Sequence, residues 1–128
     1  VLGNLLSEEE ITANLKTAET LFNSTDEHTY YFSYWYSVAM STVAWYWAQA
    51  DVRLDQALQY AERSIAIQPK NPYFLEGMAE VLFRLERYEE ATSVNEQARK
   101  HAGDDAELLT SLNDRDNRIK EILALQDD

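Results

Sequence analysis

Residues 54–69 read LDQALQYAERSIAIQP and residues 88–103 read YEEATSVNEQARKHAG, and the two stretches align at an offset of 34 residues. Small and apolar residues recur in both at the spacing of a helix that buries one face. The matched pairs are Leu54 with Tyr88, Ala57 with Ala91, Ser64 with Ala98, and Pro69 with Gly103. Because a helical hairpin cannot bury its apolar face alone, a repeat of this length predicts hairpins stacked into a solenoid.

Length and composition predict one all-helical domain over residues 1–128. The 128 residues suffice for a single core and are too few for two comfortable ones. An apolar fraction of 45% excludes a disordered chain, and only three glycines and two prolines favour long helices with few breaks.

Charge and cysteine content exclude several functions. The chain has 23 acidic and 11 basic residues and a net charge of −12, so it lacks the basic stripe of a nucleic-acid-binding protein. This charge favours a basic partner, although many soluble helical proteins are acidic without one. The absence of cysteine excludes disulfides and thiol nucleophiles and leaves cytosol and periplasm equally open. The first six residues do not resemble a signal peptide, which predicts a processed protein or an excised fragment.

The first half of the chain contains an unusual uncharged segment. A capping box at Ser7 and Glu10 predicts a first helix over residues 8–22. Residues 29–50 then carry no charge and hold nine of the fifteen aromatic side chains. Their Tyr, Trp, Ser and Thr content and acidic flanks argue against membrane insertion and favour a buried helix of a solenoid. The sequence does not decide whether residues 24–36 form a loop or extend this helix.

The second half predicts further helices with clear boundaries. One helix ends before Gln68, and Asn71 with Pro72 opens the next, over residues 72–85. Another follows over residues 88–101 and stops at Gly103. A last helix reaches about Leu125, with a kink or break allowed near residues 113–117, which are poor helix formers.

The two stretches that align at an offset of 34 residues resemble the tetratricopeptide repeat. The clearer copy spans about residues 72–103, an earlier copy about residues 38–70, and residues 104–125 resemble the family's terminal capping helix. The resemblance implies a right-handed α-α superhelix with flanking N-terminal and C-terminal capping helices. The earlier copy matches on its first helix at an offset of 35, which predicts one extra residue in the turn over residues 51–53. Asn95 stands where the pattern has a large apolar residue, which predicts irregular packing there.

The resemblance implies a concave groove lined by the first helix of each hairpin. Carried over to this chain, the partner-binding residues are Tyr34, Val38, Ser41, Trp45, Gln49, Tyr73, Glu76, Glu80, Phe83 and Arg84. The expected groove is aromatic with an acidic flank. That flank disfavours the carboxylate-tailed chaperone peptides that some repeats of this family bind, because Glu76 and Glu80 would repel a carboxylate.

No set of residues indicates catalysis, a metal site or a cofactor. His28 and His101 lack the paired spacing of metal ligands, and no nucleophile, base and orienting partner are apparent. We therefore predict a non-catalytic adaptor or scaffold module that binds a peptide or partner protein. Two alternatives remain: self-association or intramolecular docking through the aromatic helix, which would produce a homo-oligomer in the first case, and binding of a small apolar or aromatic ligand.

Overall fold

A computed structural model describes residues 8–127, which form six consecutive α-helices. The helices are α1 (Glu8–Phe22), α2 (Glu27–Gln49), α3 (Leu54–Ile67), α4 (Pro72–Arg84), α5 (Tyr88–His101) and α6 (Ala106–Gln126). Helices α2 and α3 form one antiparallel hairpin and α4 and α5 form a second, and the two hairpins pack side by side. The all-helical prediction and the boundaries expected for α1, α3 and α5 are confirmed.

Three helices begin at residues whose side chains cap the free backbone amides of the first turn. Asn71 Oδ1 accepts hydrogen bonds from the amides of Tyr73 and Phe74 at 3.0 and 3.3 Å, as expected. Asp26 caps α2 through the amide of Thr29 at 2.9 Å. Asp105 caps α6 in the same way, at 3.1 Å from the amide of Leu108. The capping role predicted for Ser7 lies outside the described residues.

The aromatic segment is helical over its whole length, which decides between the loop and the extended helix. Helix α2 runs for 23 residues from Glu27, so its first turns project beyond the part that matches the repeat. Helix α1 folds back on this extension, where Phe22 stacks on Tyr30 with ring centroids 4.8 Å apart. None of the helices within residues 8–127 combines the length and apolarity needed to cross a bilayer.

Both hairpins turn through the same backbone motif, and the first contains one extra residue. Helix α4 ends with Glu86 in the left-handed region at φ 62°, and the amide of Arg87 donates to the Leu82 carbonyl at 2.9 Å. Helix α2 ends alike, with Asp51 at φ 57°. Arg53, at φ 51°, then precedes α3 and has no counterpart before α5. The predicted insertion is confirmed and lies at Arg53.

Small side chains let the helices approach closely in one continuous core. Ala44, Ala57, Ala79 and Ala91 are at most 1% exposed and belong to the same cluster. Larger side chains at these positions would push the helices apart. Between the hairpins, a methyl group on Gly77 of α4 would lie 3.7 Å from Ser41 Oγ of α2, so this is where the first helices meet.

Helix α6 is continuous and packs on α4 and α5. Leu108, Leu112 and Ile119 are buried along one side of it. The break allowed near residues 113–117 does not form, because Asn113 and Asp116 use their side chains in hydrogen bonds to α5 rather than to their own backbone.

Candidate functional site

The first helices of the two hairpins enclose a crevice on one surface of the molecule. Its volume is about 330 Å³. Its lining includes five residues predicted from the sequence: Val38, Ser41, Trp45, Tyr73 and Glu76. The structure thus brings together residues that lie up to 38 positions apart in the chain. Thr42, Tyr46, Phe74 and Gly77 complete the walls and were not in the predicted set.

Helix α6 forms a third wall that continues this surface. A second crevice, of about 360 Å³, lies between α2, α4 and α6. Trp45, Gln49, Glu80 and Arg84 contribute to it from the predicted set. Helix α6 adds Glu107, Thr110, Ser111, Asp114, Arg115 and Arg118. Because Trp45 lines both crevices, they join into one concave surface.

A third hollow extends the same surface toward the start of α2. It has a volume of about 480 Å³ and lies between Tyr34, Phe22 and the turn that joins α3 to α4. Tyr73 lines both this hollow and the first crevice. The three hollows therefore form a row that runs past Tyr34, Tyr73 and Trp45 to α6, and we call this row the groove.

Tyr73 links α4 to α6 across the groove. The residue is 57% exposed, and its hydroxyl donates a hydrogen bond to the carboxylate of Asp105, the residue that caps α6. This hydrogen bond raises the pKa of Tyr73, and it is also the main cause that lowers the pKa of Asp105. The Leu108 amide lowers the pKa of Asp105 further. The Tyr73 ring is thus held in place while its face stays accessible to a ligand.

A buried polar network lies beneath the second crevice. Arg115 of α6 is 4% exposed and donates to Glu80 Oε1 at 3.1 Å and to Asn95 Oδ1 at 2.8 Å. Glu80 also accepts a hydrogen bond from Arg84 at 2.8 Å. Asn95 Nδ2 donates to the Leu112 carbonyl at 2.8 Å and to Asp116 at 2.9 Å. The irregular packing predicted at Asn95 is therefore replaced by a hydrogen-bonded link between α5 and α6.

The acidic flank expected from the sequence is neutralised within the protein. Glu80 is only 5% exposed and is paired with two arginines, so its carboxylate forms part of the floor of the groove. Glu76 lies 3.7 Å from Arg115 Nη2. Helix α6 supplies the compensating charge through Arg115, whose position beside these glutamates was not predicted from the sequence.

Phe83 also differs from its predicted place, because it is a core residue. It is 7% exposed, its ring centroid lies 5.8 Å from that of Tyr88, and the Arg118 guanidinium lies 4.7 Å from its ring. Helices α5 and α6 therefore cover it.

The sequence contains a signal for the contact between α5 and α6. Asn95, Asn113 and Asp116 all interrupt the apolar pattern, and polar residues in neighbouring helices can satisfy one another by hydrogen bonding.

Comparison with known families agrees with this geometry. A profile described as the tetratricopeptide repeat matches residues 48–113, which is just over half of the chain. The chain belongs to the tetratricopeptide repeat family. Members of this family generally mediate protein–protein interactions and act as non-catalytic modules. Searches of curated proteins and of solved structures gave no match. In the described part of the chain, no cluster of three or more acidic or histidine side chains is suited to hold a metal ion.

Proposed function

We propose that this tetratricopeptide domain binds a segment of a partner protein along the groove, as a non-catalytic adaptor. The observation that carries the proposal is the continuity of the groove past two accessible aromatic rings, Trp45 and Tyr73. Aromatic side chains dominate binding energy at interfaces because they bury a large rigid area at low entropic cost. The Tyr73–Asp105 hydrogen bond favours binding further, since a ring that is already ordered loses little freedom when a ligand packs on it.

The chemistry of the groove favours a particular kind of segment. The first crevice presents Val38, Trp45 and the ring of Tyr73, which suit an aliphatic or aromatic side chain. The second crevice presents Arg84 and Arg118 beside Glu107 and Asp114, which suit a polar side chain of either charge. We therefore propose a partner segment with an apolar anchor followed, toward α6, by a polar residue.

The charge of the partner is a separate question from the anchor. The net charge of −12 attracts basic proteins at long range and raises their association rate. Within the groove, however, Glu80 is already paired with Arg84 and Arg115. We therefore propose that a basic partner associates faster because of long-range attraction, and that no lysine or arginine of the partner pairs with Glu80.

A segment of polypeptide fits this surface better than a small molecule does. The hollows lie in a row and open to solvent along the groove, whereas sites for small ligands enclose most of the ligand surface. An extended ligand can fill successive hollows and gain energy from each. The small apolar ligand that the sequence left open would occupy one hollow and remain largely solvated.

The proposal can be tested with a peptide selected on the whole domain from a displayed random library. We expect Trp45→Ala and Tyr73→Ala to weaken its binding by about tenfold or more each in fluorescence anisotropy, as for truncated aromatic hot spots. Trp35→Ala is the matched control, because Trp35 is 63% exposed and lies outside the groove. If folded groove variants bind the peptide as well as the wild-type protein does, the groove is not the binding site.

A further inference from the structure

A stripe of exposed side chains runs along α2 on a face separate from most of the groove. Its members recur at spacings of three and four residues, so they lie on one side of the helix over about 21 Å. We call this face the outer stripe; it comprises Phe32, Trp35, Ala39, Thr42 and Tyr46. Phe32, Trp35 and Tyr46 are each more than 60% exposed, so neither α1 nor any other described element covers them.

The repeat register identifies what this face does in the other hairpin. First helices α2 and α4 match at an offset of 35, so the last three residues of the stripe have counterparts on α4. The pairs are Ala39 with Phe74, Thr42 with Gly77, and Tyr46 with Val81. All three counterparts are buried, and Gly77 is where α4 meets α2. On α6, at a further 34 residues, Leu108 and Arg115 are also buried.

The outer stripe is therefore a helix-packing surface of the kind that α4 and α6 bury against the preceding first helix. On α2 the same surface is exposed, and it continues toward the start of the helix through Trp35 and Phe32. Monomeric proteins rarely expose several large aromatic side chains side by side unless that surface contacts something. The outer stripe is thus suited to packing against another helix.

The trailing face of α6 does not fit. In a head-to-tail stack of two copies, α6 of one copy would pack on the outer stripe of the other. The α6 residues at this contact would be those that correspond to the side of α2 that faces α4. Counting by the same offsets from Ser41 and Ala48, these include Thr110 and Asn117, and both are polar and exposed. Burying them against aromatic rings would leave polar groups without partners. An open chain of copies is therefore disfavoured.

We propose that the outer stripe is the interface of a symmetric homodimer, in which α2 packs antiparallel on α2 of a second copy. Ala39 lies seven residues from both Phe32 and Tyr46, so pairing about Ala39 brings Phe32 of each copy onto Tyr46 of the other. The small side chains of Ala39 and Thr42 at the centre allow the helix backbones to approach. An interface that uses the same patch on both copies closes after two chains.

The lack of charge on α2 is what a second copy of this acidic protein would need at its contact surface. Two copies that each carry a net charge of −12 repel one another over most of their surfaces. Residues 29–50 contain no charged side chain, so α2 offers an uncharged face on which they can meet. One helix face per copy lies at the low end of specific interfaces, about 1,200 Å² in total or less, so we expect a dimer with a micromolar dissociation constant.

Sedimentation equilibrium of the whole chain from about 1 to 500 µM, a range that brackets micromolar affinity, tests the proposal. We expect a reversible shift from the monomer mass to the dimer mass. Ala39→Glu and Ala39→Lys place a charge at the centre of the stripe, outside the groove, and each should abolish the shift. Ala66→Glu, on an exposed position of α3, is the matched control and should dimerise like the wild type.

A mixture of the two Ala39 variants tests the antiparallel geometry. Residue 39 faces its own counterpart in the proposed dimer, so opposite charges should restore a mixed dimer that neither variant forms alone. Circular dichroism establishes that both variants are folded. A wild-type chain that remains monomeric at the highest concentration overturns the proposal, and so does a dimer that persists in both Ala39 variants. Peptide binding by the Ala39 variants should be unchanged, so a failure here is distinct from a failure of the groove.

Discussion

At the scale of single residues, the most consequential side chains are those that depart from the repeat pattern. Asn95 and Arg115 are buried polar residues in neighbouring helices, and each satisfies the other at 2.8 Å. A buried polar network stabilises a structure only when its members are paired, because an orphaned charge in the interior is costly. Arg115 also reaches Glu80, so one side chain fastens α6 to both helices of the second hairpin.

We predict that Arg115→Leu lowers the free energy of unfolding by about 3 kcal/mol, since it removes the buried donor of Glu80 Oε1 and Asn95 Oδ1. Urea denaturation followed by circular dichroism measures this change. Arg87→Leu is the control, because it removes a solvent-exposed ion pair with Glu90 and should change stability little. Equal effects of the two substitutions would show that the network contributes no more than a surface ion pair.

A second prediction concerns Asp105 and acid stability. Its hydrogen bonds from Tyr73 and the Leu108 amide favour the carboxylate and lower its pKa in the folded state. Its contribution to stability is therefore present above the unfolded-state pKa, near 4, and is lost as the pH falls through the lower folded-state value. Asp105→Asn, which preserves the helix cap, should reduce the loss of stability in this acidic range. An unchanged slope between about pH 4 and 2 would contradict this assignment.

At the scale of the helices, local signals were sufficient for most boundaries. A few neighbouring residues determine the cap at Asn71, the left-handed stop at Gly103 and the extra turn residue. Each was found where the sequence indicated. The length of α2 was not predictable in this way. Its first turns carry aromatic residues on all sides, so no single apolar face distinguishes helix from loop until α1 packs on them.

The turn after α4 provides a test at this scale. Glu86 adopts φ 62°, a conformation that costs a residue with a side chain more than it costs glycine. Glu86→Gly should therefore raise the free energy of unfolding by up to about 1 kcal/mol. Gln97→Gly, at an exposed position inside α5, is the matched control and should lower it by about the same amount. Destabilisation by Glu86→Gly would show that the turn is not strained.

At the scale of the whole molecule, the sequence predicted the groove walls on α2 and α4 and missed the wall on α6. Positions such as Val38 and Tyr73 were implied by the resemblance to the repeat family, and they line the first crevice. The burial of Phe83 and Glu80 depends instead on where α6 lies, and that is decided by contacts between residues far apart in the chain. Long-range placement of this kind is not readable from local periodicity.

The groove and the outer stripe, for which we propose peptide binding and dimerisation, both include residues of α2. Trp45 lies in the groove, Trp35 lies on the outer stripe, and Thr42 and Tyr46 contribute to both. We predict that peptide binding in the groove and dimerisation occur together unless the peptide covers Thr42 or Tyr46. Sedimentation of the wild-type chain with saturating labelled peptide measures this, and a bound peptide that converts the dimer to monomer would place the two sites in competition.

The most direct test of the groove is amide chemical-shift mapping by NMR while the selected peptide is added to the Ala39→Glu variant, which we expect to be monomeric. We predict that the perturbed amides cluster on α2, α4 and α6 around Trp45, Tyr73 and Ser111, with little change on the solvent-exposed sides of α3 and α5. Perturbations confined to α1, α3 or α5, with α4 and α6 unaffected, would contradict it.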